Sequence, residues 1–280
     1  MRIGLHVSIA GKIYESLERA HELGCDAMQI FSRNPRGWQV SKLDGADAAQ
    51  FRELKKKLDI TVVVHIPYLI NLASPQDTLY KRSIDAYIED VKRADLLDAE
   101  YFVTHLGSHV GSGEEGGIKR FAKALNEIIT KAEPKTEILL ENTAGSGSII
   151  GYRFEHIKAI IDGLDNSDNV GVCLDTAHTF EAGYDIKTKS GLESTLKTFD
   201  KLVGLDRIKV VHFNDSLSEL SSHVDRHQHI GKGKIGLEAM TRIINHPKLK
   251  AAAFIMETPK ESDKDDKRNM ATAKRIYKAK

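Results

Sequence analysis

Six apolar runs of strand character along this chain each end in a residue able to bind a metal ion. The runs read T-V-V-V-H-I, Y-F-V-T-H-L-G, E-I-L-L-E-N-T, V-G-V-C-L-D-T-A-H, I-K-V-V-H-F-N-D and A-A-F-I-M-E-T. Their ligand-type residues are His65, His105, Glu141, Asp175, His212 and Glu257, separated by 40, 36, 34, 37 and 45 residues. Each gap is close to one strand plus one helix. A repeated βα unit that delivers one such side chain per strand end describes a parallel barrel with a metal cluster at its C-terminal face.

Two further strand candidates, at 2–8 and 27–31, bring the count to eight. Segments of helical period fall between them, at 12–23, 48–58, 75–97, 115–131, 154–161, 192–203, 237–245 and 265–278. In the first, Ile13, Leu17, Ala20 and Leu23 share a face, and Gly24 is placed to stop the helix. Strict β/α alternation with no Pro- or Ser-rich linker predicts a single (β/α)8 TIM barrel, one domain over residues 1–280. Such a barrel needs about 250 residues.

Composition narrows the partners. A net charge of +1 gives no global polycation, so contact with a polyanion must come from local patches and bound metal. No apolar stretch approaches the roughly 20 residues that span a bilayer. The start, M-R-I-G-L-H-V-S, lacks a signal-peptide layout. Cys25 and Cys173 have no metal-site spacing and read as small buried hydrophobes in a reducing, cytoplasmic compartment. A monomer with no membrane contact is the expectation.

A lone histidine at a strand end is ordinarily a hydrogen-bonded rim residue. Six ligand types at equivalent positions are harder to explain that way, because buried carboxylates are costly unless paired or metal-bound. Asp175-Thr-Ala-His178 adds a histidine one short turn beyond its carboxylate. Asp225-Arg-His227 adds an i, i+2 pair that extended backbone points to one side. Five histidines and four carboxylates result. One zinc takes about four ligands, so nine imply two or three ions with a bridging carboxylate. Imidazole and carboxylate without cysteine suit catalytic Zn²⁺ or Mn²⁺.

The other histidines are expected elsewhere. His21, His156 and His246 read as solvated helix residues, and His223 and His229 as rim residues. His6 and His109 stand near strand ends as partners to the ligands or as rim residues, with equal weight. Gly231-Lys-Gly233-Lys-Ile-Gly236 formally matches the dinucleotide fingerprint but follows a long loop rather than a strand, which excludes that reading. A phosphate-facing loop carrying Lys232 and Lys234 stays open.

The segments G-L-H-V-S, Y-L-I-N-L, T-H-L-G-S-H, E-N-T-A-G-S-G, V-G-V-C-L-D-T-A-H, A-G-Y-D, H-F-N-D-S and V-D-R-H-Q-H-I-G-K-G run in order along the chain. In them the sequence resembles the endonuclease IV family of zinc-dependent apurinic/apyrimidinic endonucleases. The resemblance implies three Zn²⁺ per chain, with Mn²⁺ an alternative at one or more sites. His65, His105 and Glu141 would hold one ion; Glu141 would bridge to a second, with Asp175, His212 and Glu257; His178, Asp225 and His227 would hold the third. It further implies that R-N-P-R-G-W carries Arg36 to the minor groove of double-stranded DNA and that Tyr68 wedges the duplex at an abasic site. One departure is His65-Ile-Pro, where relatives often carry more polar residues. Hydrolysis 5′ to the lesion would leave a 3′-hydroxyl and a 5′-deoxyribose phosphate, with removal of 3′-blocking groups as a companion activity. Glu141 and Glu257 are the expected catalytic residues, as ligands that also orient the attacking water.

Two rivals remain. Metal-dependent sugar isomerases and epimerases use a related barrel but need fewer ions, and the Asp225-x-His227 pair with His178 argues against them. A non-catalytic damage-binding module conflicts with the mixed ligand set, since structural zinc is usually closed and four-coordinate.

Overall fold

A computed structural model describes residues 1–39, 42–262 and 264–278. Its strands are β1 (Ile3–His6), β2 (Ala27–Phe31), β3 (Thr61–His65), β4 (Tyr101–His105), β5 (Glu137–Glu141), β6 (Val170–Asp175), β7 (Ile208–His212), β8 (Asp215–Ser216), β9 (His227–Gln228) and β10 (Ala253–Met256). All but β8 and β9 pair in parallel and close into a barrel in the order β1-β10-β7-β6-β5-β4-β3-β2. The TIM barrel predicted from alternation is the fold.

The helices are α1 (Glu15–Glu22), α2 (Gly45–Leu58), α3 (Asp77–Leu96), α4 (Glu114–Ala132), α5 (Phe154–Asp162), α6 (Thr176–Glu181), α7 (Lys189–Leu202), α8 (Leu237–Ile244) and α9 (Asp265–Ile276). Eight match the periodic segments. Their ends follow local chemistry: Asp44 caps α2 by accepting from the Ala46 and Asp47 amides, and Thr188 caps α7 through Gly191. Gly24, at φ 73°, ends the turn after α1 in a left-handed conformation that suits glycine. Among the described residues, no helix is long and apolar enough to cross a membrane.

Two layers of core follow from the period of two along each strand. Val62 and Val64 face outward to the helices, where they join Leu17, Phe51, Tyr87, Phe121 and Phe154. Ala27, Val63, Val103, Leu139, Cys173, Val210, Ala253 and Ile255 fill the barrel interior. Gly4 on β1 has no room for a side chain: a Cβ there would lie 1.6 Å from the Ala27 carbonyl oxygen. Two residues beyond the interior layer the same parity brings the chain to the C-terminal mouth. Val63 leads to His65, Val103 to His105, Leu139 to Glu141, Cys173 to Asp175, Val210 to His212 and Ile255 to Glu257. The alternation that packs the barrel therefore also aims the ligand-type residues.

Candidate metal centre

Three groups of donors form at that mouth. His65, His105 and Glu141 make one; Glu141, Asp175, His212 and Glu257 make a second; Asp175, His178 and His227 make a third, with donor atoms in each group within 4.8 Å of one another. Glu141 links the first two through different oxygens. Its Oε2 lies 3.3 Å from His65 Nε2 and 3.1 Å from His105 Nε2, and its Oε1 lies 2.8 Å from His212 Nδ1. Asp225 approaches the third group, with Oδ1 3.4 Å from His178 Nε2 and 3.7 Å from His227 Nε2. Asp175 Oδ2 is 3.6 Å from His227 Nε2, so this carboxylate touches two groups. All nine candidate ligands thus come together.

Local folding explains the last three. Asp175 ends β6 and its carboxylate accepts from the His178 amide, so it caps α6 and fixes His178 one turn above it. The sequence missed this six-residue helix. His227 lies on β9, whose antiparallel pairing with β8 returns the chain to the barrel mouth. The intervening loop is pinned on both sides. Ser146 Oγ donates to the His223 carbonyl, His223 Nδ1 pairs with the Ala144 carbonyl at 2.9 Å, and the Glu181 carbonyl accepts from His223 N. Glu181 Oε1 accepts from Ser216 Oγ at 2.6 Å and from Arg226 N at 3.2 Å. Ser221 and His223 stand at φ 62° and 53°, uncommon for residues with a Cβ. Burial pushes the Glu181 carboxyl up to about 7.

The imidazoles are oriented from behind. His65 Nδ1 pairs with the Ile66 carbonyl at 2.7 Å, His178 Nδ1 with the Asn142 carbonyl at 2.9 Å and His227 Nδ1 with the Glu257 carbonyl at 3.1 Å. A carbonyl only accepts, so each Nδ1 carries a proton and each ring turns its Nε2, the nitrogen able to ligate a metal, to the cluster. His178 Nε2 and His227 Nε2 lie 3.4 Å apart, close enough to share one proton or to face one cation beside the carboxylates. Burial alone would push His178 down, but Asp175 and Asp225 outweigh it and hold the imidazole well above its usual range. Burial likewise pushes Glu141 up, and His212 and His105 overcome it to hold the carboxyl well below the usual range. Glu141, Asp175 and His212 are fully buried, and among the described residues no lysine or arginine pairs with Glu141, Asp175 or Glu257. The set demands positive charge, and its imidazole and carboxylate donors fit divalent zinc or manganese.

Arg36 and Tyr68 line the same mouth cavity of about 620 Å³ as His65, His105, Glu141, Asp225 and Glu257. Arg36 is exposed on the β2–α2 loop, and the Tyr68 ring, 59 % exposed, meets Phe31 edge-on at 5.2 Å. The Arg36 loop has a firm base. Buried Arg33 clasps Asp90 of α3 through Nε at 2.6 Å and Nη2 at 2.8 Å, and Arg82 lies over the Trp38 ring. Asp90→Ala strands the Arg33 charge and is expected to cost about 3–5 kcal/mol. Thermal melting checks this, and a loss below roughly 1 kcal/mol would place the pair among solvated surface bridges.

Some expectations fail. His156 and His246 are buried rather than solvated: His156 accepts from the Gly151 amide and pairs with Arg153, and His246 pairs with Glu193. The amides of Gly233, Ile235 and Gly236 donate to the Asp215 carboxylate, so the glycine-rich loop commits these donors to the protein itself rather than to phosphate. His6 does pair with a ligand candidate, at 3.4 Å from Glu257. No sequence pattern marked Asn142, which accepts from Asp175 N, or Asn214, whose Nδ2 donates to Asp175 Oδ2 at 2.8 Å.

Known proteins are similar to this chain in sequence and fold. A family model described as xylose isomerase-like TIM barrel matches residues 17–279. The probable endonuclease 4 of Halothermothrix orenii is 46 % identical over 266 residues, covering 95 % of this chain and 96 % of the relative. That of Methanosphaerula palustris is 42 % identical over 280 residues, covering 99 % and 98 %. The crystal structure of endonuclease IV from Thermus thermophilus superposes with a TM-score of 0.89 at 36 % identity, covering 99 % of this chain and 98 % of that one. A D-tagatose 3-epimerase-like protein, at 22 % identity and a TM-score of 0.72, shares the fold. With identity of this order along nearly its whole length, the chain belongs to the endonuclease IV family.

Proposed function

We propose that the chain is a monomeric cytoplasmic DNA-repair endonuclease that hydrolyses the phosphodiester 5′ to abasic sites in double-stranded DNA. The products are a 3′-hydroxyl and a 5′-deoxyribose phosphate, and 3′-blocking groups are removed at the same centre. The observation that carries this reading is the convergence of nine donors in one mouth with Arg36 and Tyr68 on its rim. His65, His105 and Glu141 would hold one zinc; Glu141, Asp175, His212 and Glu257 a second; His178, Asp225 and His227 a third. When bound, the ions supply the positive charge that makes water a nucleophile near neutral pH and balances charge on the phosphate.

The chain's own residues do the rest. An abasic nucleotide has no base to stack, so extruding it costs less than extruding an intact one. Arg36 and Tyr68 fill the gap and keep the duplex kinked. Glu141 and Glu257 orient the attacking water, and the walls of the cavity keep the extruded sugar against them.

Metal quantification coupled to cleavage of an abasic duplex tests the proposal. Three ions per chain and chelator-sensitive incision are expected. Cleavage that survives strong chelation, or that needs added Mg²⁺ with no bound transition metal, would sink it; one or two ions per chain would favour a sugar isomerase. Arg36→Ala is expected to weaken abasic-DNA binding by about 1–3 kcal/mol with metal content unchanged. Simultaneous loss of zinc would contradict the role of that loop.

A further inference from the structure

Gln29 is a lone polar residue in the apolar strand A-M-Q-I-F, is fully buried, and shares the inward parity of Ala27. Its amide touches three side chains at the cluster. Nε2 donates to Glu257 Oε1 at 2.5 Å and lies 3.0 Å from His6 Nδ1, and Oε1 lies 2.8 Å from His212 Nε2. We propose that Gln29 is a positioning residue that sets the tautomer of His212 and selects the free oxygen of Glu257, and so builds the middle ion site. This rests on the metal-dependent reading above.

The argument is one of donor polarity. An ionised Glu257 can only accept, so the oxygen facing Gln29 calls for the amide NH₂. The amide oxygen is then turned to His212 and calls for a proton on Nε2. With Nε2 protonated, a neutral His212 carries its lone pair on Nδ1, which points into the donor set 2.8 Å from Glu141 Oε1 and 3.2 Å from Glu257 Oε2. His65, His178 and His227 instead turn Nε2 to the cluster, each fixed by a backbone carbonyl. His212 uses its other nitrogen, and a side-chain amide takes the place of the carbonyl. The same amide holds Glu257 Oε1 back and leaves Oε2 as the oxygen beside His212. One residue thus fixes two ligand atoms.

Gln29→Leu removes both functions at similar volume, while Gln29→Glu keeps an acceptor for His212 and loses the donor to Glu257. In the zinc-loaded full chain, ¹⁵N NMR of the imidazoles is expected to find His212 protonated at Nε2 in wild type and in Gln29→Glu, and to lose that signature in Gln29→Leu. Competition with a chelating dye should show one ion bound about 10–100-fold more weakly in both variants. Cleavage should fall in kcat with KM held. A Gln29→Leu chain that keeps wild-type affinity for every ion, or keeps the His212 signature, overturns the proposal; so does a Gln29→Glu chain that loses the signature. A wild-type chain that binds its ions yet leaves abasic DNA intact overturns the endonuclease reading alone, because tautomer and affinity are read without DNA.

Discussion

Replacing Glu141 with Gln is expected to lower abasic-site cleavage by about a thousandfold or more, since metal-derived charge stabilisation is worth several kcal/mol and each 1.36 kcal/mol is tenfold in rate. Glu141 is the carboxylate that joins His65 and His105 on one side to His212 on the other. Gln keeps the shape but removes the charge, and it must place an NH₂, which cannot ligate, where one of the ions would need an oxygen. The ions that these three imidazoles would hold lose a shared counter-charge at once. Metal content should therefore fall by more than the one ion that a terminal ligand would forfeit. Steady-state cleavage together with elemental analysis of the purified variant checks both parts. A variant that keeps its full metal complement and a tenth of its rate would show that Glu141 does not bridge.

Chelation is expected to lower the melting temperature by at least roughly 8–16 °C, because even one ion at 1,000 times its Kd contributes about 4 kcal/mol and a chain of this size shifts by about 2–4 °C per kcal/mol. The cause is the burial of Glu141 and Asp175 beside His212, with imidazoles as their only charged partners among the described residues. Removing the ions leaves these carboxylates to be balanced by protons on the rings. A melt by circular dichroism, with and without chelator and after zinc is restored, makes the comparison. A shift under about 2 °C would mean that protonated histidines satisfy the carboxylates as well as metal does.

Much of this centre is legible in the sequence because one rule serves two ends. Alternation along a strand marks the interior face, and a ligand-type residue that continues that parity must arrive at the mouth; Val63 to His65 and Val210 to His212 follow it. Period-3.6 segments likewise place eight of the helices. What escaped depends on tertiary register or on elements too short to show a period. The six residues of α6 and the two of β8 and β9 give periodicity nothing to repeat. Gln29 in a strand resembles an ordinary half-buried polar residue until β2 is seen to close beside β1, with His212 and Glu257 across the mouth. His156 looks like a solvated helix residue, yet it faces the Gly151 amide and Arg153, which no pattern on α5 alone announces.

The shared parity of core and ligands has a consequence for inheritance. A one-residue insertion inside β3, β5 or β7 would turn His65, Glu141 or His212 out toward the helices and drive its outward neighbours inside, so packing and metal binding fail together. Insertions in the loops beyond the strand ends, such as the Arg36 loop braced by Arg33 and Asp90, leave that parity untouched. The strands are thus closed to length change while the rim stays open to it. A barrel built this way can exchange what it grips without renegotiating how it holds its ions.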